Sequence, residues 1–169
     1  ISKSLNSSAS QSEKVQNEMK SLKNELLQSE SISWEQQEKM KSLLEKQMDL
    51  KSQVEAVQKR FEEQKKQTEQ KNYSEEIKEK QDAIEKQLEN LADKELQEQL
   101  KKLQELLQQK NMNKENAFQN LQKMEQENKL FNMDMERIQD LIKQLEMQMK
   151  LEDMANKLEQ IAKEQSDLQ

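Results

Sequence analysis

Apolar residues recur along this chain at steps of three and four, the spacing that lines up side chains on one side of an α-helix. Val15, Met19, Leu22 and Leu26 step this way and predict a helix over 13–29. The Ser-rich start, residues 1–12, is weakly patterned and is expected to fray. A polar run, Gln28-Ser29-Glu30-Ser31, ends the first helix. Ser33 then stands as an N-cap, with Gln36 at the reciprocal capping-box position. A second helix is predicted over 34–70, its seam made by Met40, Leu43, Gln47, Leu50, Val54, Val57 and Phe61. After Phe61 only Gln64 and Thr68 fill the seam, as at a hairpin tip.

The next break is Asn72-Tyr73-Ser74, with Ser74 placed to cap a third helix over 74–110. Ile77, Ile84, Leu88 and Leu91 form its first stripe. Leu96, Leu100, Leu103 and Leu107 form a second stripe in shifted phase, so an interruption without reversal is expected near 92–93. A third break spans Lys110 to Asn113, with Asn113 as N-cap and Met112 and Ala117 as a hydrophobic staple. The last helix is predicted over 114–168. Ala117, Leu121, Met124, Asn128, Phe131, Met135, Ile138, Ile142, Leu145 and Met149 keep an unbroken 4-3 spacing. Leu151, Met154, Leu158, Ile161, Gln165 and Leu168 continue after a shift of two residues. Such a shift without Pro or Gly predicts a change of supercoil or of partner helix.

Short breaks favour antiparallel neighbours. The pattern therefore predicts an all-α chain of elongated antiparallel coiled-coil hairpins, about four long helices with no β-structure. The second helix is expected to pack on the third and the third on the fourth. At about 1.5 Å per residue the last helix would reach roughly 80 Å. Helices this long outrun a compact bundle and are expected to leave apolar stripe for a partner.

Composition supports a shared seam over a thick core. The chain has 169 residues, 31% hydrophobic and 37% charged, with no Gly, Pro, Cys or His. Ordinary globular domains carry roughly 45–50% apolar residues. Absent Pro and Gly, and abundant Gln, Lys, Glu and Leu, oppose disorder. The net charge of −6 is spread over interspersed acids and bases, which reads as a solvated helix surface. Lys59, Arg60, Lys65, Lys66 and Lys71 are interleaved with Glu62, Glu63 and Glu69, so no nucleic-acid face is expected.

The missing residue types also remove chemistry. Without Cys and His there is no structural zinc set. Without Gly no phosphate-cradling loop exists. Asp134, Glu136 and Asp140, or Glu152 and Asp153, are the only weak candidates for a divalent cation, and a solvated face is the expectation there. No catalytic residue, metal or cofactor is predicted. Asn128 falls in a seam and reads as a register-fixing residue. Met40, Met124, Met135 and Met149 read as seam filler, whereas Met133 and Met147 lie off the seam. With Trp34, the lone Trp, those two are the candidates for partner contact. Asn6-Ser7-Ser8 and Asn72-Tyr73-Ser74 match the short glycosylation sequon and carry little weight.

The segments SWEQQEKMKSLLEKQMDLKSQVE, YSEEIKEKQDAIEKQLENLADKELQEQLKKLQELL and MNKENAFQNLQKMEQENKLFNMDMERIQDLIKQLEMQMKLEDMANKLEQIAKEQ carry a resemblance. From Trp34 to Gln169 the chain resembles the coiled-coil region of a large family of membrane-anchored Bacteroidota proteins, classed as a domain of unknown function. The last segment is the most telling, with an Asn-capped start, a mixed Leu/Met seam, and Leu-Ile-Lys-Gln-Leu-Glu before a Lys-Leu run. The resemblance implies membrane helices elsewhere in a longer protein and a helical region outside the cytoplasm. It implies no catalytic residues. The chain itself starts at Ile1 and keeps helical spacing from Ile161 onward, so it is expected to be cut from a longer protein.

The expected function is that of a rigid arm that spaces or scaffolds protein partners in the cell envelope, on the periplasmic side of the inner membrane. Two alternatives remain open on sequence: a clamp holding polypeptide clients on Met-rich stripes and hairpin tips, and a regulatory segment of a larger complex.

Overall fold

The computed structural model describes the backbone of residues 1–108 and 112–168, and its side chains except those of residues 94–99 and 106. Five helices are described: α1 (Ser2–Gln28), α2 (Trp34–Thr68), α3 (Glu75–Leu91), α4 (Lys94–Leu107) and α5 (Lys114–Asp167). No strand occurs among the described residues, so the chain is all-α.

Local side-chain chemistry sets the helix starts. Ser33 Oγ accepts from the Gln36 N–H at 3.1 Å, and Gln36 Oε1 accepts from the Ser33 N–H at 3.0 Å. This reciprocal box satisfies two donors that a helix start leaves open. Ser74 accepts from the Ile77 N–H, and Asn113 from the Glu115 N–H. The helix predicted over 74–110 is divided at Ala92-Asp93 into α3 and α4. Both pieces pack on α2 and advance along it in one direction. Lys65 pairs with Asp82 and Glu85, whereas Lys51 feels the charges of Asp93 and Lys101. The predicted break at Lys110 lies outside the described residues, as does the Leu96 side chain.

One expectation is corrected. Residues 1–12 do not fray: α1 begins at Ser2. Leu5, Ser8, Ser12, Val15, Met19, Leu22 and Leu26 are its buried residues, and they keep an unbroken 3-4 spacing. Ser8 and Ser12 are seam residues that happen to be polar. The second helix packs on the third, as α3 and α4, and α3 packs on the last helix as expected, while α1 packs in addition on both α2 and α5.

The cross-section therefore changes along the axis. Near the α1–α2 turn, α1 packs on α2 and α5, and α4 packs on α2. Salt bridges Lys39–Glu25 and Lys46–Glu18 show that α1 runs antiparallel to α2. Toward the α2–α3 turn, α3 lies between α2 and α5, held by Lys65 on one side and Lys80–Gln148 on the other. Beyond that turn α5 continues alone. From residue 153 to 167 every described α5 residue is exposed.

Candidate protein-interaction surface

Sixteen of the seam residues singled out by spacing are buried. Leu43, Leu50, Val54, Val57 and Phe61 come from α2, Ile84, Leu88 and Leu91 from α3, and Leu100, Leu103 and Leu107 from α4. Leu121, Phe131, Ile138, Ile142 and Leu145 come from α5. They form one continuous core with the apolar residues of α1. Seam spacing on amphipathic helices produces this arrangement because only one face of each helix can leave water.

Asn128 is fully buried at the centre of that core. Its amide donates to Ser12 Oγ at 3.1 Å and to Gln47 Oε1 at 2.9 Å. Asn132, one turn on, donates to Asn128 Oδ1 and to Gln16 Oε1. One polar layer thus ties α1, α2 and α5 at a single height. An apolar slip of any one helix would leave these amides without partners, which is costly in a dry interior.

Lys51, a turn beyond Gln47, is a second buried polar group. Burial pulls its ammonium below the ordinary lysine range, against the opposing influence of Glu55 and Asp93. Glu125 is buried beside the same layer and bridges to Lys23 at 2.6 Å. Burial opposes its ionisation. The Lys23 hydrogen bond, with the charges of Lys23, Lys129 and Lys20, outweighs burial and holds the carboxyl below its usual range.

At the α2–α3 tip, α5 is pinned by its carboxylates. Tyr73 Oη donates to Asp153 Oδ1 at 2.9 Å, and the Ser74 N–H and Oγ donate to Glu152 at 3.0 and 2.8 Å. Burial, then the Asp153 hydrogen bond, push the Tyr73 phenol up to about 12. Glu152 and Asp153 are thus engaged in fastening the tip. Among the described residues no three Asp or Glu side chains gather into a group able to hold a metal ion. Within the basic run, Arg60 donates to Ser4 and Lys65 bridges to α3, so both serve internal packing.

Trp34, Met133 and Met147 are exposed, at 73%, 59% and 67%. Trp34 stands at the start of α2, apart from the other two. Met133 and Met147 belong to a larger set. The exposed large apolar residues of α5 and its C-cap are Leu130, Met133, Met147, Leu151, Met154, Leu158, Ile161 and Leu168. All eight fall on one line of 3-4 steps, completed by Arg137, Asp140, Gln144 and Gln165. This outer line is offset by two residues from the buried seam, about 200° around a helix of 3.6 residues per turn. Its first residues, Leu130 and Met133, border the grooves to α3 and α1, and farther along α5 the line turns away from the buried seam. The two-residue shift seen in the sequence is the point where the inner seam ends and the outer line alone remains. Spacing arguments missed Leu130, because a second apolar line is hidden while the first is being followed.

The grooves between helices are open and lined mainly by Lys, Glu, Gln and Ser side chains. No helix among the described residues is long and apolar enough to cross a membrane. No family model, curated protein or solved structure matches the chain.

Proposed function

We propose that this chain is a non-enzymatic structural module, a rigid helical arm that scaffolds or spaces protein partners through the outer face of α5. One observation carries this reading: the exposed large apolar residues of α5 lie on a single coiled-coil line, and from residue 153 to 167 no other helix covers it. Scattered exposed Leu and Met residues are ordinary on any surface, but a register-keeping line is a template for another helix. The pinned tip supports the reading, since it fixes the direction in which α5 projects.

The resemblance to membrane-anchored Bacteroidota proteins supports a place in the cell envelope, with this arm on the periplasmic side of the inner membrane. No metal or cofactor is called for. A second reading draws on the three exposed Met residues of the line, Met133, Met147 and Met154. Flexible thioether side chains suit loose capture of varied polypeptides, so a client-holding clamp is the alternative. A regulatory segment of a larger membrane complex is the third.

The test is site-specific photo-crosslinking in the native cell. Probes at Leu158 and Met147 on the line are compared with probes at Glu159 and Glu146 beside it. The arm reading expects line positions to give one or a few stoichiometric protein adducts. A broad smear of adducts would favour the clamp. Equal or absent crosslinking from both sets of positions would overturn both.

A further inference from the structure

The distal part of the outer line is self-complementary, and it specifies its own partner. We propose that two copies of this chain pair through residues 151–168 of α5 as an antiparallel coiled coil. The proposal rests on the arm reading and names the helix that the arm receives.

Leu151, Met154, Leu158, Ile161 and Leu168 are 43–88% exposed, and nothing in the bundle covers them. The projecting end is held only by propagation from the packed part of α5 and gains no burial of its own apolar side chains. A second helix along the line supplies what is missing.

Register then fixes the orientation. Let Leu151, Leu158 and Gln165 occupy the a positions, and Met154, Ile161 and Leu168 the d positions. Antiparallel partners place a against d. With Leu158 facing Ile161 of the second copy, Leu151 faces Leu168 and Met154 faces Gln165, so five of the six seam residues on each strand are apolar. The flanks match in the same register. On one edge, Lys157 meets Glu164 of the second copy, and the two-fold axis repeats the pair. On the other edge, Ala155 meets Ala162, twice, and these small side chains let the helices approach closely.

A parallel pairing has none of this. It sets Lys150 against Ala155 and Lys157 against Ala162, and it stacks Arg137 on Arg137 and Asp140 on Asp140 farther down the line. Antiparallel pairing also suits the fold. Glu152 and Asp153 hold the bundle to the opposite face of α5, so the incoming helix meets no obstruction. Two bundles then sit at opposite ends of a short rod, their tips separated by on the order of 20 Å along it.

The experiment is sedimentation equilibrium on the 169-residue chain at low salt, where exposed charge pairs are least screened. The chain is expected to be a dimer. Leu158→Glu is expected to give a monomer whose bundle unfolds at the unchanged midpoint. Lys157→Glu and Glu164→Lys are each expected to weaken the dimer about tenfold, through two lost attractions and two new repulsions. Mixing those two variants, or combining both changes in one chain, restores the pairing only in the antiparallel register. A monomeric parent chain, or a dimer indifferent to the charge swap, overturns the proposal. Should the parent be monomeric while Leu158 crosslinks to a different protein in the cell, self-pairing fails and the arm reading stands. Should Leu158 give no line-specific crosslink at all, the arm reading fails with it.

Discussion

The buried amide of Asn128 on α5 donates to Gln47 on α2 at 2.9 Å, across the middle of the bundle. The same amide reaches Ser12 on α1. These three side chains sit at one height in a core built mainly from Leu, Ile, Val, Met and Phe. A polar layer of this kind lowers stability relative to an apolar one and in return penalises every other register.

That layer makes a two-sided prediction. Asn128→Ala should destabilise the fold by about 1–3 kcal/mol, since Gln47 and Ser12 lose a partner in a dry site. Replacing all three residues with apolar ones (Ser12→Ala, Gln47→Leu, Asn128→Leu) should raise the denaturation midpoint above that of Asn128→Ala. Urea unfolding monitored by circular dichroism decides it. A triple variant weaker than the single one would show that the layer stabilises and does not merely specify.

The inner and outer lines of α5 should respond oppositely to truncation. Leu145→Ala removes a buried side chain and is expected to cost roughly 2–5 kcal/mol. Met147→Ala, two residues on, changes an exposed one and should stay within about 0.5 kcal/mol. Comparable losses at both positions in urea unfolding would contradict the assignment of faces.

How far the sequence reveals this structure depends on how local each signal is. The caps at Ser33, Ser74 and Asn113 are legible because their partners lie two or three residues away. The inner seam is legible because a helix face repeats every few residues. The ordering of residues 1–12 is not legible from apolar spacing, because Ser8 and Ser12 occupy seam positions with hydroxyls. Ser12 is held by Asn128 from the far end of the chain, and Ser8 donates to Gln53. No local pattern announces partners this distant. For the same reason the docking of α1 on α5, through Lys23–Glu125 among others, had to come from the fold.

Acid should unfold the bundle partly through Glu125. Its carboxyl titrates below the ordinary carboxylate range, so the folded state binds its proton less readily than the unfolded chain does. The stability this supplies is fully present above the ordinary carboxylate pKa. It is lost as pH falls through the depressed folded value. Glu125→Gln should therefore be less stable at neutral pH and lose less stability on acidification. Unfolding midpoints at pH 7 and in mild acid check this, and parallel pH profiles for the two proteins would contradict it.

The α2–α3 tip makes a prediction at the other end of the pH scale. Tyr73 is the single tyrosine, so its ionisation is read directly from ultraviolet absorbance. The folded phenol is pushed up to about 12. Its contribution to stability is present below the ordinary tyrosine value near 10 and lost as pH rises through the folded one. Asp153→Asn should lower the titration midpoint while leaving it above the ordinary value, because burial is the larger cause. A midpoint near 10 in the parent protein would mean that the tip is open in solution.

One long helix, α5, projects from the bundle, and we propose that it serves as a docking arm. Small-angle X-ray scattering of the Leu158→Glu variant tests it without interference from pairing. The 54 residues of α5 set a maximum dimension of about 80 Å, and the radius of gyration should lie well above the roughly 15–16 Å of a compact domain of this size. A radius of gyration at the compact value, with a correspondingly short maximum dimension, would mean that α5 folds back onto the bundle and that no arm exists.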